Sequence, residues 1–207
     1  MLVQPAIVPP DPACQHPDDR RDGPRALSIL RVGRVIWNDQ DQLCVVRNIS
    51  PGGVMFECLH PPEVGQELMI EIRSDKRMTG TVRWSREGKA GVQFEREINV
   101  EQILREDRSS LLRHRPRAPR FVRDGSMRLV VDGEPIPASI VDISVSGVSC
   151  RPENPVAMGA PVVAALDGVG VSNAEIRWIR GDVTGVRFEK PLPWKPFMHW
   201  LDQAPRG

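Results

Sequence analysis

The sequence predicts an all-β protein with minor α content: two six-stranded antiparallel β-barrels joined by a helix. Three observations carry that expectation. The first is a repeat. Asn48-Ile-Ser50-Pro-Gly-Gly53 returns as Asp142-Ile-Ser144-Val-Ser-Gly147, an offset of 142 − 48 = 94 residues. The same offset carries Val82-Arg83-Trp84 onto Ile176-Arg177-Trp178, Gly91-Val92 onto Gly185-Val186, and Phe94-Glu95 onto Phe188-Glu189. A constant offset over that length marks a tandem duplication. The second is a run of short apolar–polar alternations between turn residues, six in each unit of ~80 residues, which argues for a small antiparallel barrel. The third is that helical periodicity is confined to two places.

Taken in order, residues 1–19 hold five prolines and little apolar periodicity, and read as a disordered leader. The first domain is expected over 20–112, including a C-terminal helix and linker, and the second over 113–207. In the first, strands are expected near Ser28–Trp37, Leu43–Asn48, Val54–Cys58, Glu67–Ile72, Thr79–Trp84 and Ala90–Phe94. Turn signals separate them at Asn38-Asp39, Pro51-Gly52-Gly53, Pro61-Pro62, Ser74-Asp75 and Glu87-Gly88. The second repeats the scheme near Met127–Val131, Ala138–Ile143, Val148–Arg151, Pro161–Leu166, Ala174–Trp178 and Thr184–Phe188. Asn99 followed by Gln102 resembles a capping box, and Val100, Ile103 and Leu104 then share a face, so a helix is expected over roughly Val100–Arg113. It should pack on barrel one and lead into the second domain. A Pro-interrupted helical segment near Trp194–Leu201 should close barrel two. Trp84 and Trp178 alternate with polar neighbours, which places them in or near the cores.

Composition removes several function classes. The formal net charge of +1 nominates neither nucleic acid nor a membrane as partner. Of 28 basic residues four are Lys, leaving 28 − 4 = 24 Arg. Genome composition accounts for such an excess, but the placement matters: Ser109–Arg123 holds five arginines (113, 115, 117, 120, 123) and no acid. Cys14, Cys44, Cys58 and Cys150 form no Cys-x-x-Cys and are not carried over by the offset, so free thiols in a reducing cytosol are expected. The proline-broken N-terminus lacks a basic signal-peptide region, and no apolar run approaches the ~20 residues of a membrane span. A cytoplasmic location follows. His16, His60, His114 and His199 share no motif with a Ser or Cys, and no acid pair recurs, so neither an enzyme nor a metal site is expected.

Each unit carries two polar motifs. An Arg-x-x-x-Arg arm comes first, Arg21 with Arg25 and Arg113 with Arg117. An Asx-x-Ser-x-x-Gly motif follows 48 − 25 = 23 and 142 − 117 = 25 residues later. Paired guanidiniums can fork onto phosphates, bond the O6/N7 edge of a guanine or stack on its face. Asn48 or Asp142 can accept from the guanine N1–H and N2–H2 edge. Ser50 or Ser144 can bond a ribose or phosphate oxygen, and Gly53 or Gly147 allows close backbone approach or a positive φ. Alone, either motif reads as an Asx turn or a solvated surface. Their co-occurrence, twice and in the same order, favours a guanine-nucleotide pocket.

This combination resembles the PilZ domain family: Arg-x-x-x-Arg, then Asp/Asn-x-Ser-x-x-Gly, on a six-stranded barrel with a C-terminal helix. The resemblance covers about residues 20–105 and 113–202 and extends to Arg34-Val-Ile-Trp-Asn38. It implies a non-enzymatic receptor for cyclic di-GMP, with no cofactor, that changes interdomain arrangement and signals to a protein partner in motility, secretion or polysaccharide synthesis. The ligand residues implied are Arg20, Arg21, Arg25, Asn48, Ser50 and Gly53, and Arg113, Arg117, Asp142, Ser144 and Gly147. A basic residue at Arg20 is what the family uses to capture a stacked ligand dimer, whereas Leu112 before Arg113 implies a single molecule. Two registers are open in unit two. Matching Pro24-Arg25 to Pro119-Arg120 uses an offset of 95 and puts Pro116 in the first arm position; the other keeps Arg113 with Arg117. A scaffold that kept the barrels and lost one or both nucleotide sites is the alternative reading.

Overall fold

The computed structural model describes residues 27–73, 76–103 and 117–206. Barrel one comprises β1 (Leu27–Trp37), β2 (Gln40–Ser50), β3 (Gly53–Cys58), β4 (Glu67–Arg73), β5 (Lys76–Arg86) and β6 (Lys89–Phe94). Barrel two comprises β7 (Ser126–Val131), β8 (Glu134–Ser144), β9 (Gly147–Pro152), β10 (Pro161–Leu166), β11 (Gly170–Arg180) and β12 (Val183–Phe188). Both sheets close, in the orders β1-β2-β3-β6-β5-β4 and β7-β8-β9-β12-β11-β10. These are one topology written twice. The registers repeat as well, Val54 opposite Val92 and Val148 opposite Val186. The expected strands are all present, most of them longer than expected.

The turns follow from local chemistry. Asn38 and Asp39 both take positive φ, as do Asp132 and Gly133, which is the mirror-type turn whose twist suits a two-residue hairpin. At the end of barrel one the Asn99 side chain accepts from the Gln102 backbone N–H at 2.9 Å, opening a helical turn over 100–103. Val100 and Ile103 bury against barrel one, as expected; the rest of that helix lies outside the described residues. The leader, with Cys14 and His16, lies outside them too. Helix α1 (Trp194–Gln203) is not interrupted by its proline. Pro196 falls in the first turn, where a missing N–H breaks no bond.

Barrel one has a core of its own around Val35, Ile49, Phe56, Ile70 and Val82. The barrel-two core reaches across the chain, because it includes Leu43 and Val45 of β2 together with Phe197, Met198 and Leu201 of α1. The cause is legible in β2 itself. Leu43-Cys44-Val45-Val46 is a continuous apolar run, buried on both faces: Cys44 and Val46 point into barrel one, Leu43 and Val45 toward barrel two. Arg47 extends the contact by stacking over Trp194 at 5.7 Å.

A polar cluster lies beside this seam. Arg123 is 3% exposed and Asp41 6%, and they pair at 2.5 Å across the two barrels. Arg34 also reaches Asp41, at 2.7 Å. Burial alone would raise the Asp41 carboxyl, but the Arg123 hydrogen bond and the Arg123 and Arg34 charges outweigh it and hold it below the usual aspartate value. Cys44 and Cys58 face each other across β2 and β3 and are free thiols, as is Cys150. Burial pushes Cys58 up to about 12 and Cys150 to about 11, so both are poor nucleophiles.

Candidate functional site

The site is built by two bulges in each barrel. In β8 the ladder slips between Ile140 and Asp142, and in β11 between Ile176 and Trp178. The slips recur at Val46/Asn48 and Val82/Trp84. Strict alternation would send Asp142 inward with Ala138 and Ile140, and Trp178 inward with Ala174 and Ile176. One extra residue reverses the facing. Asp142 and Trp178 therefore turn outward onto one surface. Trp84 and Trp178, expected in or near the cores, are not in them: both are half-buried on the outer wall.

Each indole lies against a glycine. A Cβ on Gly185 would sit 2.0 Å from the Trp178 ring, and one on Gly91 2.0 Å from that of Trp84. Gly147 and Gly53 answer to a different constraint. Neither has a positive φ; a Cβ there would meet the Val186 or Val92 carbonyl oxygen of the neighbouring strand at 2.5 Å. Both serines close the hairpin between the strands. Ser144 Oγ donates to the Gly147 carbonyl at 3.1 Å and is 1% exposed, and Ser50 Oγ donates to that of Gly53 at 3.3 Å. Ser144, Ser50 and the glycines are thus explained by the turn.

In barrel two these elements enclose a cavity of about 490 Å³, lined among others by Arg117, Arg120, Asp142, Ser149, Arg177, Trp178, Arg180 and Arg187. That is within the ~300–1,000 Å³ usual for small-molecule sites. Five arginines face one aspartate there. Arg120 donates to the Asp142 carboxylate and, at 2.8 Å, to Ser149 Oγ. Arg180 stacks over Trp178 at 5.4 Å. Arg177 is held by Glu175 at 2.8 Å, and Arg187 by the same carboxylate at 3.6 Å. Arg117 is exposed at the rim. The cavity suits an anionic ligand with a planar group: guanidiniums for its charge, an indole for its face, a carboxylate for N–H donors.

Of the residues expected at this site, Arg117, Asp142, Ser144 and Gly147 line the cavity; Arg113 lies outside the described residues. Arg120, the alternative arm residue, makes the direct contact to Asp142. Its position is set by Phe121, which pairs with Ile143 through two backbone hydrogen bonds of 2.8 and 2.9 Å. Arg177, Trp178, Arg180 and Arg187 were not expected. For Arg177 and Trp178 the signal was the repeated Val/Ile-Arg-Trp, whose Trp alternation assigned to the core side; Arg180 and Arg187 had no such signal.

In barrel one the matching cavity is about 210 Å³ and is lined by Ser50, Gly53, Arg83, Trp84, Gly91 and Gln93, with others. Asn48 does not line it; its amide oxygen accepts from Ser28 Oγ at 3.1 Å. At the offset of 94, Ser149 is replaced by Met55 and Arg187 by Gln93. Arg20, Arg21 and Arg25 lie outside the described residues. Among the described residues no cluster of His, Cys, Asp or Glu could hold a metal ion, and no helix is long and apolar enough to cross a membrane.

No curated protein sequence matches the chain. Among solved structures, PlzA of Borreliella burgdorferi in complex with c-di-GMP is similar at 11% identity, with 83% of this chain and 87% of that one covered and a TM-score of 0.40. MrkH of K. pneumonia in its c-di-GMP complex is 13% identical, covering 77% and 79% with a TM-score of 0.31. YcgR of Escherichia coli in complex with c-di-GMP is 14% identical, covering 76% and 75% with a TM-score of 0.28. The PilZ domain family matches twice, over residues 19–114 and 111–193. With two closed barrels of one topology and a family match over each, this chain belongs to the PilZ domain family.

Proposed function

We propose that this protein is a non-enzymatic cyclic di-GMP receptor whose working site is the barrel-two cavity, and which passes binding on to a protein partner. The observation that carries the reading is the placement of Arg117 and Arg120 opposite Asp142 in one cavity, with Trp178 and Arg180 as its wall. A cyclic dinucleotide presents two phosphates and two guanines. Arg117, Arg120, Arg177 and Arg187 suit the phosphates and the O6/N7 edge, Asp142 the N1–H and N2–H2 edge, and Trp178 a purine face. For barrel one a second reading is favoured, a scaffold whose nucleotide site is lost. Gln93 removes a cation, Met55 a hydroxyl, and Asn48 is already engaged by Ser28. In this reading the protein is cytoplasmic, and its partner acts in motility, secretion or polysaccharide synthesis.

Isothermal titration with cyclic di-GMP, with GTP as control, tests this. Saturable heat at one site per chain is expected. An Asp142→Ala, Arg120→Ala double variant should weaken it by well over tenfold, since each charge-assisted contact is worth about 1.5–3 kcal/mol. Binding that survives in this variant and vanishes in Arg21→Ala, Arg25→Ala would move the site to barrel one. No heat from folded protein would leave a scaffold.

A further inference from the structure

We infer that the barrel-two site is completed by barrel one: Asp41 is a positioning residue that holds, through Arg123, the arm carrying Arg117 and Arg120. This rests on the cyclic di-GMP reading of that site. The path is three contacts long. Arg120 lies on Asp142, Phe121 is bridged to Ile143 in the strand carrying Asp142 and Ser144, and Arg123 anchors the C-terminal end of the arm. Three residues after Arg120 the chain is therefore bound to the other barrel.

The anchor is specific. The Arg123 guanidinium donates to the Asp41 carboxylate at 2.5 Å, the Asp41 carbonyl at 3.2 Å, the Leu201 carbonyl at 3.1 Å and the Val122 carbonyl at 2.8 Å. Barrel one, helix α1 and the arm meet on one side chain. Phe121 is 1% exposed, its ring 5.6 Å from the Arg34 guanidinium of barrel one and 5.8 Å from that of Arg123, with the Phe197 ring edge-on at 6.3 Å. Moving this buried guanidinium would break four hydrogen bonds inside the protein, which fixes the backbone of 121–123. Residues 117–120 then leave a rigid point. Under the offset Asp41 becomes Pro135 and Arg123 becomes Ile29, so neither barrel supplies this anchor to a site on barrel one.

The test compares Asp41→Asn with Asp202→Asn, which removes the exposed His60–Asp202 contact across the same seam. Cyclic di-GMP affinity should fall at least about tenfold in Asp41→Asn, the size of one lost charge-assisted contact. It should stay within about twofold of the parent in Asp202→Asn, as for an exposed ion pair. If Asp41 acts through the arm, adding Asp41→Asn to Arg120→Ala should cost much less than it does alone. Limited trypsin without nucleotide supplies a second reading: cleavage after Arg120 should quicken in Asp41→Asn. If that variant fails to fold, Arg123→Lys keeps charge and trypsin site while losing the fork, and should show both effects more weakly. Parent-like affinity, or full multiplication of the two affinity losses, would overturn the inference. A parent protein that gives no heat would instead overturn the receptor reading, and an unchanged cleavage rate would then overturn the anchor separately.

Discussion

The two barrels keep the same skeleton and differ in what they present on it. Both have the bulge before the Asx, the serine that closes the hairpin, the glycine under the indole and the arginine over it. The positions at 52, 55 and 93 are Gly, Met and Gln in barrel one, against Ser146, Ser149 and Arg187 in barrel two. The difference separates two kinds of constraint. Some residues repeat because the backbone leaves no room, as at Gly53 and Gly147, where a Cβ would strike a carbonyl oxygen. Arg83, Trp84 and Arg86 also repeat, as Arg177, Trp178 and Arg180, whereas Ser149 and Arg187 of the barrel-two cavity have no counterpart in barrel one. A strongly repeated motif is thus partly a folding signal, and the chemistry has to be read from the residues around it.

The largest test of this asymmetry is the anchor. Removing one partner of a buried ion pair leaves the other charge uncompensated, so Arg123→Ala should cost about 3–5 kcal/mol in urea unfolding. A loss below 1 kcal/mol would mean the seam adds nothing. The skeleton should respond symmetrically: Gly53→Ala and Gly147→Ala each force a carbonyl aside and should cost about 1–3 kcal/mol apiece. Very unequal losses would break the equivalence. The ligand residues should respond asymmetrically. Asp142→Ala should weaken cyclic di-GMP by about 1.5–3 kcal/mol and Asn48→Ala should change little; titration of both decides it.

The smallest effect concerns pH. Asp41 is held below its ordinary value of 3.8, so its contribution is fully present above that value and lost as pH falls through the lower folded value. Stability of the parent should therefore drop as pH falls below about 4 by more than that of Asp41→Asn, measured by urea unfolding at each pH. Parallel curves would remove Asp41 from the acid response.

Much of the architecture was legible because the repeat supplied a second copy of every strand signal and turns such as Asn38-Asp39 and Glu87-Gly88 marked the hairpins. Legibility failed at the bulges. Arg47, Arg83, Val141 and Arg177 carry no composition signal for an extra residue, so alternation placed Trp84 and Trp178 inside. The arm was ambiguous for another reason. Five arginines without an acid between them leave no local feature to choose a register, and the choice falls to the Phe121–Ile143 bridge, a contact 22 residues apart. The seam did have a signal, the unbroken Leu43–Val46 run, which is longer than a one-sided strand requires.

That run has a consequence for assembly. Barrel two docks on the outer face of β2 through Leu43 and Val45, a contact between unlike surfaces. Had the duplication stayed exact, barrel two would display the same face, and each molecule could receive the next, head to tail, without closure. At the equivalent positions the chain has Pro137 and Ser139, both exposed. With Pro137 and Ser139 there, β8 does not repeat the apolar face that β2 offers to barrel two.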